Sequence, residues 1–247
     1  MMTTVRDVYD FLDSIAPFAG QEPWDNSGLQ VGDWDSSVER AMVCLDATPE
    51  VTAQAAAFGT QLLVSHHPVL FKPRRQLLAR DPAWLLARQG IAAIASHTPI
   101  DAMPGGVNDT LAERLGMRTS GMLNGIVRLG SLPEPVRAAD LAALAAQKLE
   151  AEARFCDAGG FIATVAICGG QGCHFLEEIY GRADALVTGD AGHHDFLEAR
   201  QQGLSLIAAG HYETEIHVIP ALMRLLQEAF PHVEWRAAQE QGTIQYT

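Results

Sequence analysis

Residues 62–68 read Leu62-Leu63-Val64-Ser65-His66-His67-Pro68, a short apolar run that ends in two adjacent histidines. An apolar run of this length without polar alternation is typical of a strand buried on both faces. Four other apolar runs in the chain also end in a histidine or an aspartate. Because parallel strands bring their carboxyl ends to one edge of a sheet, we expect these polar side chains to collect at such an edge.

The segment before this run predicts a βαβ unit. Residues 41–45 form a continuous apolar run, Thr48 and Pro49 are typical of the start of a helix, and Gly59 is typical of its end. A strand, a helix and a second strand in this order predict a parallel sheet covered by helices, with a right-handed crossover.

The same alternation continues along the chain. In the first half, the apolar spacing predicts helices over 5–15 and 81–89 and a strand over 91–95, and residues 23–32 are typical of an ordered loop with a short strand. In the second half, it predicts strands near 126–132, 154–156, 164–168, 185–188 and 204–209, with helices between them and a last helix to about residue 230. Turn-forming residues at 119–124 indicate a boundary. We therefore predict an α/β fold of two lobes with mostly parallel sheets, residues 1–120 and 121–247.

Composition excludes several functional classes. The formal charge of −13 comes from 30 acidic against 17 basic residues, which repels phosphate backbones and argues against direct nucleic-acid binding. No apolar stretch reaches the length of a membrane span, and the first residues do not have the layout of a signal peptide. The four cysteines contain no Cys-x-x-Cys motif, so we expect reduced, mostly buried thiols. We expect a cytoplasmic protein without a membrane partner.

The polar residues at the predicted strand ends include both imidazoles and carboxylates. They are Asp46, His66, His67, His97, Asp101, Asp190, His194, His211 and Glu215. This combination suits zinc, manganese, iron or nickel, and a carboxylate can bridge two ions. Because the residues come from both halves of the chain, we predict two divalent ions between the lobes. The expected ligands are His66, His67, Asp101, His211 and Glu215.

The remaining members of this group have other expected roles. His97 is a further candidate ligand, whereas Asp46, Asp190 and His194 are expected to orient the ligands through hydrogen bonds. We do not expect His193 to bind a metal ion.

Three other segments allow two interpretations each. Lys72, Arg74, Arg75 and Arg80 form the densest basic patch in the chain, either a solvated loop or a lip that attracts anions. Asp25 and Asn26 are interpreted as structural turn residues, because such side chains usually bond to their own backbone. The glycines of 168–172 follow a strand and indicate tight packing rather than a phosphate-binding loop.

Five spaced motifs carry a resemblance to a known family. They are Trp24-Asp25-Asn26-Ser27-Gly28-Leu29-Gln30-Val31-Gly32, Ser65-His66-His67-Pro68, His97-Thr98-Pro99-Ile100-Asp101 with Gly105-Gly106-Val107-Asn108-Asp109, Thr188-Gly189-Asp190 and Gly210-His211-Tyr212-Glu213-Thr214-Glu215. In this order the chain resembles the Nif-three-like dinuclear-metal family, whose members are often named GTP cyclohydrolase type 2 homologues. The resemblance implies two interlinked α/β lobes, a toroidal homohexamer and a pair of metal ions facing its central cavity. It also implies the five ligands given above, with Asp101 or Glu215 bridging.

Two functions of different classes fit these features. The first is a metal-dependent hydrolase whose ion-bound water attacks a carbon or phosphorus atom. By resemblance, that atom is C8 of the guanine of GTP and formate is released; a phosphoesterase is the nearest enzymatic alternative. His97 or Glu215 would move protons, and the Lys72–Arg80 segment would receive the triphosphate. The second function is a non-catalytic metal-binding or regulatory protein whose ring recruits a partner.

Overall fold

The computed structural model describes residues 2–244 and contains two β-sheets with flanking helices, which confirms the predicted α/β class. The chain forms two compact units. The first unit runs to Met103 and is completed by Ile219–Gln241, and the second contains Pro104–Val218. The predicted boundary between two lobes at residue 120 stays a prediction.

The first unit contains a sheet in which the His-His segment follows the carboxyl end of one strand. Its first eight helices and strands are α1 Val5–Ile15, β1 Gly28–Val31, β2 Arg40–Cys44, α2 Pro49–Phe58, β3 Leu62–Ser65, α3 Pro82–Gln89, β4 Ala92–Ala95 and α4 Thr98–Ala102. Strands β2, β3 and β4 are parallel neighbours, and β1 pairs antiparallel with β4. All residues of β3 and β4 are buried, as the unbroken apolar runs predicted.

The ends of the first helices follow from capping residues. Thr4 and Asp7 form a reciprocal capping box at the start of α1. The Thr48 hydroxyl accepts a hydrogen bond from the backbone N–H of Val51 at 3.1 Å, and Gly59 ends α2 in the left-handed region with φ 73°. The predicted bounds of these helices are confirmed.

The second unit contains a mixed sheet. Its elements are α5 Val107–Arg114, β5 Arg118–Leu123, β6 Val127–Val136, α6 Ala138–Leu149, β7 Arg154–Cys156, β8 Ile162–Cys168, α7 Leu176–Ile179, β9 Ala185–Thr188, α8 His193–Gln201, β10 Ser205–Ala208 and α9 His211–Glu215. The strand order is β5-β6-β8-β9-β10-β7, and only β8, β9 and β10 run parallel. The turn-forming residues at 119–124 predicted a boundary, but most of them belong to the edge strand β5, Arg118–Leu123. Most of its residues are exposed, so it lacks an apolar pattern.

The chain then adds α10 Val218–Ala229 and β11 Glu234–Ala237, and β11 pairs parallel with β2 at the edge of the first sheet. Beyond β11, the two carboxylate oxygens of Glu240 accept hydrogen bonds from the backbone N–H groups of Leu45 and Asp46, each at 2.8 Å. Glu240 therefore fixes the backbone just after β2. No helix within residues 2–244 has the length and apolar character that crossing a bilayer requires.

Candidate metal centre

His66 and His67 follow β3 directly, and hydrogen bonds to the neighbouring strand end fix their backbone. Their N–H groups donate to the carbonyls of Cys44 and Leu45, each at 2.9 Å. His66 has no exposed surface, whereas His67 is partly exposed. The parallel register thus extends past β3 and holds both imidazoles at the carboxyl end of the sheet.

Hydrogen bonds at Nδ1 orient both imidazole rings. Nδ1 of His66 lies 3.1 Å from the carbonyl oxygen of Ser96, and Nδ1 of His67 lies 2.8 Å from a carboxylate oxygen of Asp46. Because the carbonyl and the carboxylate accept, Nδ1 carries the proton in a neutral ring, and the lone pair is then on Nε2. Asp46 takes the orienting role that the sequence predicted for it.

His97 lies at the end of β4 and begins α4. Its Nδ1 lies 2.9 Å from Oδ1 of Asp25, a residue 72 positions earlier in the chain. The Asp25 carboxylate also accepts from the Thr98 hydroxyl at 2.6 Å, the Thr98 N–H at 3.1 Å, the Ser27 hydroxyl at 2.9 Å and the Asn26 N–H at 2.6 Å. Asp25 therefore orients the His97 ring, and its interpretation as a simple turn residue is incomplete.

The charge of Asp25 is stabilised by these donors. Its side chain has no exposed surface. Burial raises the pKa of Asp25, but the hydrogen bonds from His97 and Thr98 outweigh burial and hold the pKa far below its usual value. Asp25 is thus a buried, ionised carboxylate that fixes the position of an imidazole.

The three imidazoles of the first unit converge. One ring nitrogen from each of His66, His67 and His97 lies within 4.8 Å of the other two. Asp101, on α4, places Oδ1 3.5 Å from Nε2 of His66. Three imidazoles and a carboxylate are a donor set typical of zinc and other first-row transition metals.

The second unit holds a matching pair on α9. His211 and Glu215 are one helical turn apart, with His211 Nε2 3.3 Å from Glu215 Oε2. Nδ1 of His211 lies 2.7 Å from the carboxylate of Asp190, which follows β9. Burial lowers the pKa of His211, but the bonds to Asp190 and Glu215 outweigh it and raise the pKa to about 10. Asp190 therefore also orients a histidine, as predicted.

A glycine turn after β8 packs directly against this pair. Gly170 has φ 59°, and its N–H donates to the Thr214 hydroxyl at 3.1 Å. A Cβ at Gly170 would overlap the Glu215 carboxylate and lie 3.2 Å from Nε2 of His211. The predicted packing role of the glycines in 168–172 is confirmed: α9 approaches Gly169 and Gly170 closely, and Cys168 and Thr188 approach Gly172.

The donor geometry in each unit fits a bound metal ion. Two ligands about 2.1 Å from one ion in tetrahedral arrangement lie about 3.4 Å apart. The separations of 3.5 Å between His66 and Asp101 and 3.3 Å between His211 and Glu215 match that length. The residues present therefore suit a divalent ion, and the predicted ligand set stays a prediction.

Two other predicted features lie outside this donor set. His193 and His194 are exposed in the first turn of α8, with their rings 5.4 Å apart. The basic segment around Lys72 is exposed, and Arg74 pairs with Asp81. Part of this segment lines a pocket of about 530 Å³ in the first unit.

Comparison with known proteins identifies a matching family model, similar proteins and a similar solved structure. The family model Duf34/NIF3 (NGG1p interacting factor 3) matches residues 3–242. A GTP cyclohydrolase 1 type 2 homolog from Pyrococcus abyssi is 32% identical over 236 residues, covering 91% of this chain and 94% of that protein. A Helicobacter pylori protein named GTP cyclohydrolase 1 type 2 is 29% identical over 229 residues, covering 87% and 88%. The crystal structure of the Staphylococcus aureus hypothetical protein SA1388 aligns with a TM-score of 0.91 and 27% identity over 100% of both chains.

Proposed function

This chain belongs to the Duf34/NIF3 family, and on that premise we propose that it is a hydrolase with two divalent metal ions bound by His66, His67, Asp101, His211 and Glu215. The resemblance found in the sequence motifs is confirmed at the level of the family. The ligand set, the number of ions and the reaction are the proposal.

The observation that carries the proposal is the way in which a contact at Nδ1 orients three imidazole rings. Nδ1 of His66, His67 and His211 is held by a carbonyl or a carboxylate, which directs Nε2 away from that partner. This pattern of carboxylate or carbonyl, histidine and metal is common in metalloproteins, where the outer partner fixes the ring and increases its basicity. Histidines that only stabilise the fold do not require a carbonyl or carboxylate at Nδ1 at three separate strand ends, so the repeated contact favours metal ligands.

The chain's own residues supply binding and proton transfer. Divalent ions, when bound, lower the pKa of a bound water toward neutrality and polarise an electrophile. His97, whose ring is fixed by Asp25, accepts or donates a proton at Nε2, and Glu215 is the second proton carrier. The names of the relatives favour GTP as the substrate, with hydrolytic opening of the guanine ring and release of formate. A phosphoester is the alternative substrate for the same ions.

The test combines metal content with turnover. Protein loaded separately with zinc, manganese, iron and nickel is incubated with GTP, and formate is measured beside phosphate release. We expect two ions per chain and formate release that His66→Ala abolishes together with metal binding. His232→Ala, at an exposed histidine near β11, is the matched control and should keep both properties.

Two results would count against the proposal. Full metal content in His66→Ala would remove that histidine from the ligand set. Complete loading without turnover of GTP or of phosphoesters would exclude the hydrolase and leave the non-catalytic metal-binding or regulatory protein. We also propose a homohexamer, and light scattering that gives a mass other than six chains of 26.6 kDa would exclude it.

A further inference from the structure

The pocket of about 530 Å³ has a volume typical of sites for small organic ligands, and two of its lining residues, Trp24 and Phe71, contact the His97 ring. Its walls come from the loop before β1 and from the segment after the His-His pair. The lining includes Trp24, Asp25, Phe71, Lys72 and Arg74. None of these residues belongs to the proposed ligand set.

One wall of the pocket is aromatic. The rings of Trp24 and Phe71 are stacked, with centroids 5.9 Å apart and planes at 19°. Trp24 is 53% exposed and Phe71 is 39% exposed, so a broad apolar face remains in contact with water. Both rings also meet the His97 ring edge-on, at centroid distances of 5.7 and 5.5 Å. A flat ligand on this wall would therefore lie next to the imidazole to which we assign proton transfer.

The other wall is positively charged, in contrast to the chain as a whole. Arg74 is paired with Asp81, but Lys72 makes no ion pair within residues 2–244. Asp25 also lines the pocket, but its side chain has no exposed surface and its carboxylate oxygens already accept from five donors. The charge that remains for a ligand is the ammonium group of Lys72, which favours an anion.

We propose that this pocket binds a planar heteroaromatic ring that carries a phosphate group, with the ring on Trp24 and Phe71 and the phosphate on Lys72. Stacking on an aromatic face depends little on which substituents the ligand ring carries. Lys72 therefore adds selectivity for ligands with a negative charge. The inference rests on the proposed function for its meaning, because it names the residues that hold the substrate and places its ring beside His97. Binding itself needs no metal ion.

The lysine content of the chain permits a direct assay. The chain has two lysines, Lys72 and the exposed Lys148 on α6. Metal-free protein is acetylated with N-acetoxysuccinimide in the presence of GMP, guanosine or ribose 5-phosphate, and modification at each lysine is measured by mass spectrometry. We expect GMP to protect Lys72 and leave Lys148 unchanged, and guanosine and ribose 5-phosphate to protect much less, because each offers only one of the two groups.

Variants then separate the two walls. Trp24→Ala and Phe71→Ala should each raise the GMP concentration for half-protection at least about fivefold, as expected for lost stacking on one ring. Trp84→Ala removes an exposed tryptophan outside the pocket lining and should leave protection unchanged. Calorimetric titration of Lys72→Gln with GMP should show a similar loss of affinity, and Lys148→Gln should show none.

Equal protection by ribose 5-phosphate, protection of both lysines, or full protection in both Trp24→Ala and Phe71→Ala would overturn the pocket assignment. Absence of protection by GMP would overturn it as well. Because the assay uses metal-free protein, its failure leaves the formate and metal tests of the proposed function intact. Failure of those tests leaves the acetylation result intact in turn.

Discussion

Replacing Asp25 with asparagine should destabilise the first unit far more than an ordinary surface substitution. Oδ1 of Asp25 accepts from His97 and Asn26, and Oδ2 accepts from Ser27 and twice from Thr98. An amide NH₂ group accepts no hydrogen bond, so two or three donors lose their acceptor whichever oxygen is replaced. A hydrogen bond to a charged group contributes about 1.5–3 kcal/mol, and the released donors regain some solvent contacts. We therefore expect a loss of roughly 3 kcal/mol.

Thermal unfolding of the metal-free protein, followed by circular dichroism, measures this loss. For a chain of this size, 3 kcal/mol corresponds to a Tm lowered by roughly 6–12 °C. The control is Asp35→Asn, because the Asp35 side chain is 82% exposed and lies 3.5 Å from an exposed Arg6. An exposed ion pair of this kind contributes less than about 1 kcal/mol. Equal Tm values for the two variants would refute the view that Asp25 is a buried hydrogen-bond centre.

Three further variants test other parts of the structure. Gly170→Ala should lower the number of metal ions retained after dialysis, since its methyl group displaces the Glu215 carboxylate, whereas Gly121→Ala meets open space and should retain the wild-type number. Glu240→Gln should weaken zinc binding up to about tenfold in a competition titration, because one backbone N–H after β2 loses its acceptor; unchanged affinity would contradict this role. Burial raises the pKa of Asp109, but the bond from Arg128 and its charge hold the pKa below its unfolded value. This carboxylate therefore stabilises the protein above pH about 4, and its contribution is lost as the pH falls further. Asp109→Asn should flatten the acid limb of a plot of Tm against pH. An unchanged acid limb would exclude this contribution of Asp109.

The strand ends and helix caps were readable from the sequence because their causes are local. The unbroken apolar run before His66 predicted a buried strand, and the threonine, proline and glycine around α2 predicted both of its ends. Asp46 and Asp190 were assigned as orienting groups because each follows a strand next to a candidate ligand. Both contact the expected histidine.

The parts that sequence analysis missed depend on partners far along the chain. Asp25 looks like any turn residue, and it does bond the next N–H, yet its main partners lie more than 70 residues away. Strand β11 was not predicted, because it is a short edge strand in which only Trp235 is buried. The sequence of strand β5 indicates turns rather than a strand, because a strand whose residues are mostly exposed has no reason to alternate polar and apolar residues.

The hydrogen bond from Leu45 to Glu240 spans 195 residues, which has a consequence for synthesis on the ribosome. At 5–20 residues per second, about 10–40 s pass between the synthesis of the end of β2 and the synthesis of Glu240. Throughout this interval the Asp46 backbone, and with it the anchor for the His67 ring, has only local support. The nascent chain thus exposes its histidines well before they are fixed for tight metal binding, and the first unit matures only after the second has been translated.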